Sequence, residues 1–523
     1  MYKQDVSSNF TTHHCSSLKA QLEFEIALGV SGSHKIPLSK ILHTLGRKGF
    51  SETIIWERNV DNCEYKAECS VYADASRKVD RLHFISSPID SINELRQHPQ
   101  AYGGYCDLRP DTRSVVAAYI TQNAAVRLEK ETYAFLCCSM SHSVEVRNES
   151  GEVVLTPQII TFPYMEKDRK GVMCSQAALL PLFEYWNFLR PGMFSVSDAI
   201  ALNRKCGVSD AEEVDGRGLT LQEIGDFLNK EGAPNLTINY SPTPTEGTAP
   251  QKESVQDIYG FVESGFPVVA VVAWPTVDDE GNSKQVYHAL LFLGHTYDRN
   301  SWIAMADIGY FGRKGVGGHR YHANTTWIRH FLVHDDNFGP YYFLPTNELE
   351  KIVLAGVVVL PQSSISTRPS EVAEAVFEML TTPQFSDALG KGIADPLFLH
   401  QNKQWLTHFL DHLKVKCGDG LVLRPVLLSR NNVLGRYRKH EFHMLLGALL
   451  EDKEDQYFWY VELTWPDIYC HRQLCCGAVI LDPNDKQPIF VHIPGMCAVF
   501  QGGAAIPIIA KEEDMPRKHF KED

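Results

Sequence analysis

The sequence has no long run of uncharged apolar residues. The longest such runs, 352–360 and 268–274, are far shorter than the roughly 20 residues that a membrane-spanning helix needs. The N-terminal stretch MYKQDVSSNFTTHHC also lacks the apolar core of a secretory signal peptide. These absences predict a cytoplasmic protein with no membrane partner.

The cysteines lack the regular spacing of a disulfide framework. There are 13 of them, an odd number, and they are scattered, which favours reduced thiols. The cluster CHRQLCC at 470–476 has no second cysteine pair at the spacing of a zinc site. In HEFH at 440–443 the second histidine comes one residue too early for the zinc motif H-E-x-x-H. We therefore expect no metal and no cofactor.

Positive charge is in deficit. The chain has 50 Lys and Arg against 64 Asp and Glu, which gives a formal net charge of −14. A nucleic-acid-binding protein usually carries a basic surface, so this balance argues against nucleic acid as a partner.

The chain is long enough for several domains. At 523 residues it exceeds one ordinary core. Residues 1–155 mix the helix-like stretch IPLSKILHTLGRKGF with strand-like runs, which predicts an N-terminal α+β domain with no assigned role. Residues 156–361 carry the chemical signals described below. Residues 362–523 open with amphipathic helices and end in strand-like runs, which predicts a C-terminal α+β domain that binds substrate or a protein partner.

Two local patterns predict particular elements. The runs SVEV and EVVL on either side of NESG, within 143–155, predict a β-hairpin. Thr220 followed three residues later by Glu223 is a capping box that predicts a helix start. Gly232 is well placed to end that helix.

Cys174 stands where the charged loop of PYMEKDRKGVMCSQAALLPLFEYW becomes an apolar helix. The start of a helix offers a positive dipole end and free backbone N–H groups, which favour a thiolate and can bind an oxyanion. The small residues Ser175, Ala177 and Ala178 allow close approach of a substrate or a strand. The alternative is a buried filler residue, because cysteine is among the most buried residue types. Pro181 predicts a kink in the helix.

A nucleophilic thiol needs a base and a group that orients the base. His288 opens the strand-like run HALLFLG after the apolar run FPVVAVVAW, and a histidine at a strand mouth can face a cleft. The orienting group is Asp335 or Asp336 in HDDNFGPY, with Asp307 in WIAMADIGYF as a rival. The alternatives are an ordinary core histidine and an Asp-Asp-Asn turn.

The order of a cysteine, a histidine on a strand after GFPVV, and an aspartate resembles the papain-like cysteine peptidases. It is most similar to the branch that includes the bacteriocin double-glycine leader peptidases. The matching stretches are PYMEKDRKGVMCSQAAL, SGFPVVAVV, YHALLFLGHTYD and VHDDNFGPYYFLP, which together span about 200 residues. The resemblance implies a central α+β papain-like domain in which the helix bearing the cysteine packs on an antiparallel sheet.

The resemblance also implies roles and an activity. Cys174 would be the nucleophile, His288 the general base and acid, and Asp335 the orienting carboxylate. The implied activity is hydrolysis of peptide or isopeptide bonds through an acyl-enzyme, so the expected partner is a protein or peptide substrate. The resemblance does not extend to the flanking domains; from the architecture alone, we expect them to contact a further protein partner.

The sequence departs from that family at the oxyanion site. The family places a glutamine six or seven residues before the nucleophile, whereas Lys167 and Asp168 stand there in this chain. Lys167 can donate a hydrogen bond, and Gln158 and Gln176 are donors at other positions. Two alternatives therefore stay open: a thiol acyltransferase or amidase on the same fold, and a peptidase-like binding module without activity.

Overall fold

The computed structural model of the chain describes residues 9–29, 36–47, 51–61, 78–110, 112–122, 132–167, 174–196, 199–208, 218–240, 252–277, 283–298, 321–349, 352–394, 400–414, 420–453, 456–472, 474–501, 504–511 and 517–518.

The described residues form helices and mostly antiparallel sheets. The helices are α1 (Leu18–Ala27), α2 (Ile36–Arg47), α3 (Cys174–Leu189), α4 (Ala199–Cys206), α5 (Leu221–Lys230), α6 (Lys252–Glu263), α7 (Thr346–Leu349), α8 (Pro369–Leu380), α9 (Pro383–Ile393), α10 (His400–Lys414), α11 (Arg430–Tyr437), α12 (His443–Leu449) and α13 (Pro466–Arg472). The strands are β1 (Phe10–His14), β2 (Thr53–Asp61), β3 (Lys78–Ile85), β4 (Tyr102–Leu108), β5 (Val115–Ile120), β6 (Thr132–Leu136), β7 (Met140–Ser143), β8 (Val146–Arg147), β9 (Val153–Leu155), β10 (Gln158–Thr161), β11 (Leu236–Asn239), β12 (Val268–Val277), β13 (Ser283–Asp298), β14 (Tyr321–Ala323), β15 (His330–Asp335), β16 (Gly339–Pro345), β17 (Val353–Val359), β18 (Leu421–Ser429), β19 (Tyr457–Thr464), β20 (Leu474–Cys475), β21 (Gly477–Leu481), β22 (Pro488–Ile493), β23 (Met496–Gln501), β24 (Ala504–Ile509) and β25 (Arg517–Lys518). This content confirms the predicted α+β class.

The N-terminal sheet has five antiparallel strands in the order β1-β2-β3-β4-β5. Helix α2 forms where a helix-like stretch was predicted. Its residues Leu38, Ile41, Leu42 and Leu45 recur at helical spacing, and all four are buried. Their burial in one cluster with the sheet explains why this amphipathic segment is helical.

The central sheet has seven strands in the order β11-β17-β12-β13-β15-β16, with β6 also paired to β13. The pairings are antiparallel. Helix α3 packs against β13, which carries His288, and β15 ends at Asp335. The predicted packing of the cysteine-bearing helix on an antiparallel sheet is therefore present.

The C-terminal sheet has seven strands in the order β14-β18-β19-β21-β22-β23-β24. Strand β14 pairs in parallel with β18, although it comes from the predicted central segment. Strand β6 likewise comes from the predicted N-terminal segment and joins the central sheet. The domain boundaries at residues 155 and 361 stay a prediction. Strands β6 and β14 each join a sheet on the other side of one of these boundaries.

The two local predictions are confirmed. Strands β8 and β9 pair with Val146 opposite Leu155, and Asn148 Oδ1 closes the turn by accepting the N–H of Glu152 at 2.9 Å. Thr220 and Glu223 form the capping box of α5, and Gly232 follows that helix with φ of 70°. Local side-chain chemistry was therefore enough to place both elements.

A buried network of charges joins the central and C-terminal sheets. The guanidinium of Arg424, on β18, donates to Glu263 at the end of α6 and to Glu462 on β19, the latter at 2.6 Å. Glu462 accepts a second hydrogen bond from Arg436 at 2.6 Å, and His295 on β13 pairs with Glu263. Buried ions are tolerated only when they are paired in this way.

In the described part of the chain, no helix combines the length and apolar character that a membrane span requires.

We expect Arg424→Met to lower the free energy of unfolding by about 3 kcal/mol or more, because it removes a cation from two buried carboxylates. Urea unfolding followed by circular dichroism measures this. Arg96→Met is the control, since Arg96 and Glu152 pair at 3.0 Å with 48% and 62% of their side chains exposed. That change should stay within about 1 kcal/mol. Equal effects of the two changes would contradict a structural role for the buried network.

Candidate active site

Cys174 is the first residue of helix α3. The thiol is partly exposed, whereas Ser175, Gln176, Ala177 and Ala178 are all buried. The small side chains let this end of the helix pack closely, and the helix continues past Pro181 to Leu189. The cysteine is therefore the reachable end of a helix that is otherwise part of the core.

His288 lies on β13, opposite Val272 of β12. It is only 5% exposed. The residues that follow it on β13, from Ala289 to Leu293, are buried, so the strand holds the imidazole at a fixed place. The apolar run after His288 is what predicted a buried strand.

Asp335 is the last residue of β15, and its carboxylate Oδ1 lies 3.1 Å from His288 Nε2. The same oxygen accepts the backbone N–H of Asn337 at 2.7 Å and that of Phe338 at 3.3 Å. Asn337 Nδ2 also lies 3.3 Å from His288 Nε2. The turn after β15 thus fixes the carboxylate that faces the imidazole.

The thiol of Cys174 is the third member of the group, and it forms a hydrogen bond with the imidazole of His288. Burial lowers the pKa of His288, but hydrogen bonds to Asp335 and Cys174 and the charges of Asp335 and Asp336 raise it to about 10. The structure thus brings together the three residues predicted as a triad, Cys174, His288 and Asp335, from distant parts of the chain. Because this pKa lies well above neutrality, His288 is an imidazolium at pH 7.

Asp336, the second carboxylate considered from the sequence, also faces His288. Its Oδ1 lies 3.3 Å from His288 Nε2, and its Oδ2 lies 3.4 Å from the Nζ of Lys167. The sequence left the choice between the two neighbouring aspartates open, and the structure places both at the imidazole. The third rival, Asp307, lies outside the described residues.

The candidate oxyanion donors occupy other places. Lys167 is paired with Asp336, and Asp168 lies outside the described residues. Gln176 is fully buried and donates to Asn203 at 2.6 Å. Gln158 is an exposed residue of β10, paired in register with Ser143 of β7. Among the described donors, the start of α3 itself is the group best placed to bind an oxyanion at Cys174.

Residues 162–167 form one side of the site, which was not predicted from the sequence. Tyr164 exchanges backbone hydrogen bonds with Ala118 of β5, at 2.9 and 3.1 Å, and Glu166 donates its N–H to Val115 at 3.0 Å. The hydroxyl of Tyr164 donates to the backbone carbonyl of Asp335 at 3.2 Å. The strand-like run ITFPY was the only signal in the sequence, and it could not show which sheet it joins.

Two groups of side chains in the described residues have a spacing that could hold a metal ion. They are Cys137, Glu263 and His295, and His288, Asp335 and Asp336. Each already faces a cation: Arg424 pairs with Glu263, and Lys167 pairs with Asp336. Both groups are therefore balanced by protein charges, and we assign a metal to neither. The described cysteines of the CHRQLCC cluster, Cys475 and Cys476, are buried and belong to neither group.

We expect His288 to make stability depend on pH in a defined direction. Its pKa in the folded protein, about 10, lies above its ordinary value of 6.5. The stabilisation is therefore complete below a pH of about 6.5 and is lost as the pH rises through about 10. Urea unfolding of wild type and His288→Gln should show a difference that shrinks over that range. A difference that is constant or grows with pH would contradict the charged imidazolium.

No protein-family model matches the chain, and no curated protein and no solved structure matches it either. The resemblance to papain-like cysteine peptidases therefore stays a prediction that rests on the motifs around Cys174, His288 and Asp335.

Proposed function

We propose that the protein is a cysteine hydrolase that acts through an acyl-enzyme on Cys174. The observation that carries the proposal is the meeting of a partly exposed thiol, an imidazole and a fixed carboxylate, contributed by α3, β13 and β15. A buried filler cysteine needs neither an imidazole partner nor a carboxylate behind that partner. The arrangement is the one that nucleophilic catalysis requires.

The first half of the reaction forms the acyl-enzyme. With Nε2 of His288 against the carboxylates, Nδ1 is the ring atom that holds the proton given up by Cys174 in the resting thiolate–imidazolium pair. The thiolate attacks the substrate carbonyl, and the negative oxygen that results is stabilised by backbone N–H groups at the start of α3. The imidazolium then protonates the leaving amine as the carbon–nitrogen bond breaks.

The second half releases the product. A water molecule enters, His288 takes its proton, and the hydroxide attacks the thioester carbonyl. The carbon–sulfur bond breaks, and the thiolate and the imidazolium form again. Asp335 keeps the ring oriented throughout and stabilises its positive form. No cofactor is needed because the nucleophile is a side chain.

The proposed substrate class is a peptide or isopeptide bond, and the support for it is the resemblance of residues 162–345 to papain-like peptidases. A central papain-like domain belongs to the same proposal. An acyl acceptor other than water would make the protein a transferase on the same chemistry. The reactivity of Cys174 towards iodoacetamide and an activated ester separates these outcomes and also tests for a binding module without activity.

We expect iodoacetamide to label Cys174 much faster than Cys206 in the same protein. Both thiols are partly exposed, but burial and the charge of Glu223 raise the pKa of Cys206 to about 12. Peptide mapping by mass spectrometry measures both rates.

His288→Ala should reduce the rate at Cys174 by roughly 10-fold or more at neutral pH and leave Cys206 unchanged. Asp335→Asn should have a smaller effect of the same sign. If Cys174 reacts no faster than Cys206, and His288→Ala changes nothing, the protein is a binding module and the hydrolase proposal fails.

We expect a peptidyl p-nitrophenyl ester to acylate Cys174. The wild type should release a burst of about one p-nitrophenol per protein molecule, and acid quenching followed by mass spectrometry should find the acyl group on Cys174. Turnover in water without an added amine is the expected result for a hydrolase. An acyl-enzyme that persists until an amine is supplied would identify a transferase instead. Cys174→Ala is the control and should give no burst.

A further inference from the structure

Beside the thiol, the candidate site holds two carboxylates and two cations, one of each more than a simple thiolate–imidazolium pair with one carboxylate behind it. His288 lies 3.1 Å from Asp335 and 3.3 Å from Asp336, and Asp336 lies 3.4 Å from Lys167. The two aspartate side chains are 7% and 2% exposed, and that of Lys167 is 32% exposed. Two anions and two cations thus alternate in a region that is largely shielded from solvent.

The two carboxylates are held differently. Asp335 Oδ1 accepts backbone N–H groups from the turn that follows it. Within the described residues, both oxygens of Asp336 lack a hydrogen bond of good geometry and lie against the cations of His288 and Lys167. A buried carboxylate with no backbone donors depends on neighbouring cations to stay charged. Asp336 is therefore the member of the group most sensitive to its partners.

Lys167 lies beside Asp336 because the segment before it is hydrogen-bonded to the N-terminal sheet. Residues 162–167 run beside β5, with hydrogen bonds from Tyr164 to Ala118 and from Glu166 to Val115. Glu166 also accepts the backbone N–H of Val115 on its side chain at 2.9 Å, so the contact is doubled. Lys167 is the next residue after this double contact, so the N-terminal sheet determines where its ammonium group lies.

We infer that Lys167 and Asp336 are positioning residues: Lys167 keeps Asp336 ionised, and Asp336 acts as a second anion that holds His288 in its charged, oriented form. In this arrangement the N-terminal sheet is a part of the candidate active site because it positions Lys167. The inference rests on the proposed function, since it assigns roles at that same site.

The balance of charges supports these roles. Burial raises the pKa of Asp336, the charges of His288 and Lys167 oppose that rise, and the charge of Asp335 adds to it. The groups that face His288 are Asp335 and Asp336 at the end of β15 and Cys174 on α3. Behind them, Lys167 pairs with Asp336, and the phenol of Tyr164 donates to the backbone carbonyl of Asp335. Without Asp336, Lys167 would be a cation facing another cation.

The test measures the titration of His288 by NMR with ¹³C-labelled histidine. The Cys174→Ala protein is used, so that the result does not depend on a reactive thiol. The signal of His288 is identified by its loss in His288→Gln. We expect Asp336→Asn to lower the midpoint of the titration by about one pH unit or more. Adding Lys167→Met to that variant should restore part of the loss, because the unbalanced ammonium group is removed.

The coupling between the two residues is the decisive quantity. A midpoint that Asp336→Asn leaves unchanged, or a loss of the same size with and without Lys167, would overturn the inference. Lys453 supplies a matched control: its Nζ lies 3.6 Å from Asp482, and its side chain is 33% exposed. Lys453→Met should leave the midpoint of His288 unchanged and should restore nothing in Asp336→Asn.

The failure of the inference and the failure of the proposed function are separable. A coupling seen by NMR together with slow labelling of Cys174 in the wild type would reject the hydrolase and keep the charge array. Fast labelling of Cys174 that Asp336→Asn does not reduce, with no coupling by NMR, would keep the hydrolase and reject the roles of Lys167 and Asp336. Lys167→Arg keeps the charge and should behave as the wild type in both measurements.

Discussion

Helix α3 is buried between two parts of the fold, and this burial places the candidate site. Tyr119 of β5 donates a hydrogen bond to Glu184 at 2.7 Å, and Tyr185 donates to the carbonyl of Gly265 at 3.2 Å. The N-terminal sheet and the central segment thus both hold the helix. Because only its first residue, Cys174, and a few residues near its end remain accessible, the packing leaves the thiol as the accessible side chain at the start of the helix.

The two buried charge networks follow one electrostatic rule. Ions that leave water lose hydration, and only close partners of opposite sign can replace it. Arg424 and Arg436 balance Glu263 and Glu462 between two sheets, while His288 and Lys167 balance two aspartates in the candidate site. The first network joins parts of the fold, whereas the second surrounds a partly exposed thiol. The same interaction therefore joins two sheets in one place and lines the candidate site in the other.

Irregularities in the register of the central sheet lie next to the candidate site. The pairing of β15 with β16 shifts between Val333 and Asp335, and the pairing of β13 with β15 shifts between Phe292 and Gly294. Such irregularities bend a strand and redirect side chains near its end. The shift beside Asp335 comes directly before the turn whose N–H groups fix its carboxylate. Strand β15 ends at this point instead of continuing its regular pairing, and Asp335 and Asp336 lie beside His288.

Local sequence patterns were enough to predict several individual elements. The capping box of Thr220 and Glu223 and the spacing of Leu38, Ile41, Leu42 and Leu45 act within one or two turns, so they could be read without the fold. The same holds for the start of a helix at Cys174 and the apolar strand after His288. The fold was needed to show that β6 and β14 join sheets outside their predicted segments, that both aspartates face His288, and that Lys167 pairs with Asp336. These contacts join residues far apart in the chain, and no local pattern encodes a partner that packing alone brings near.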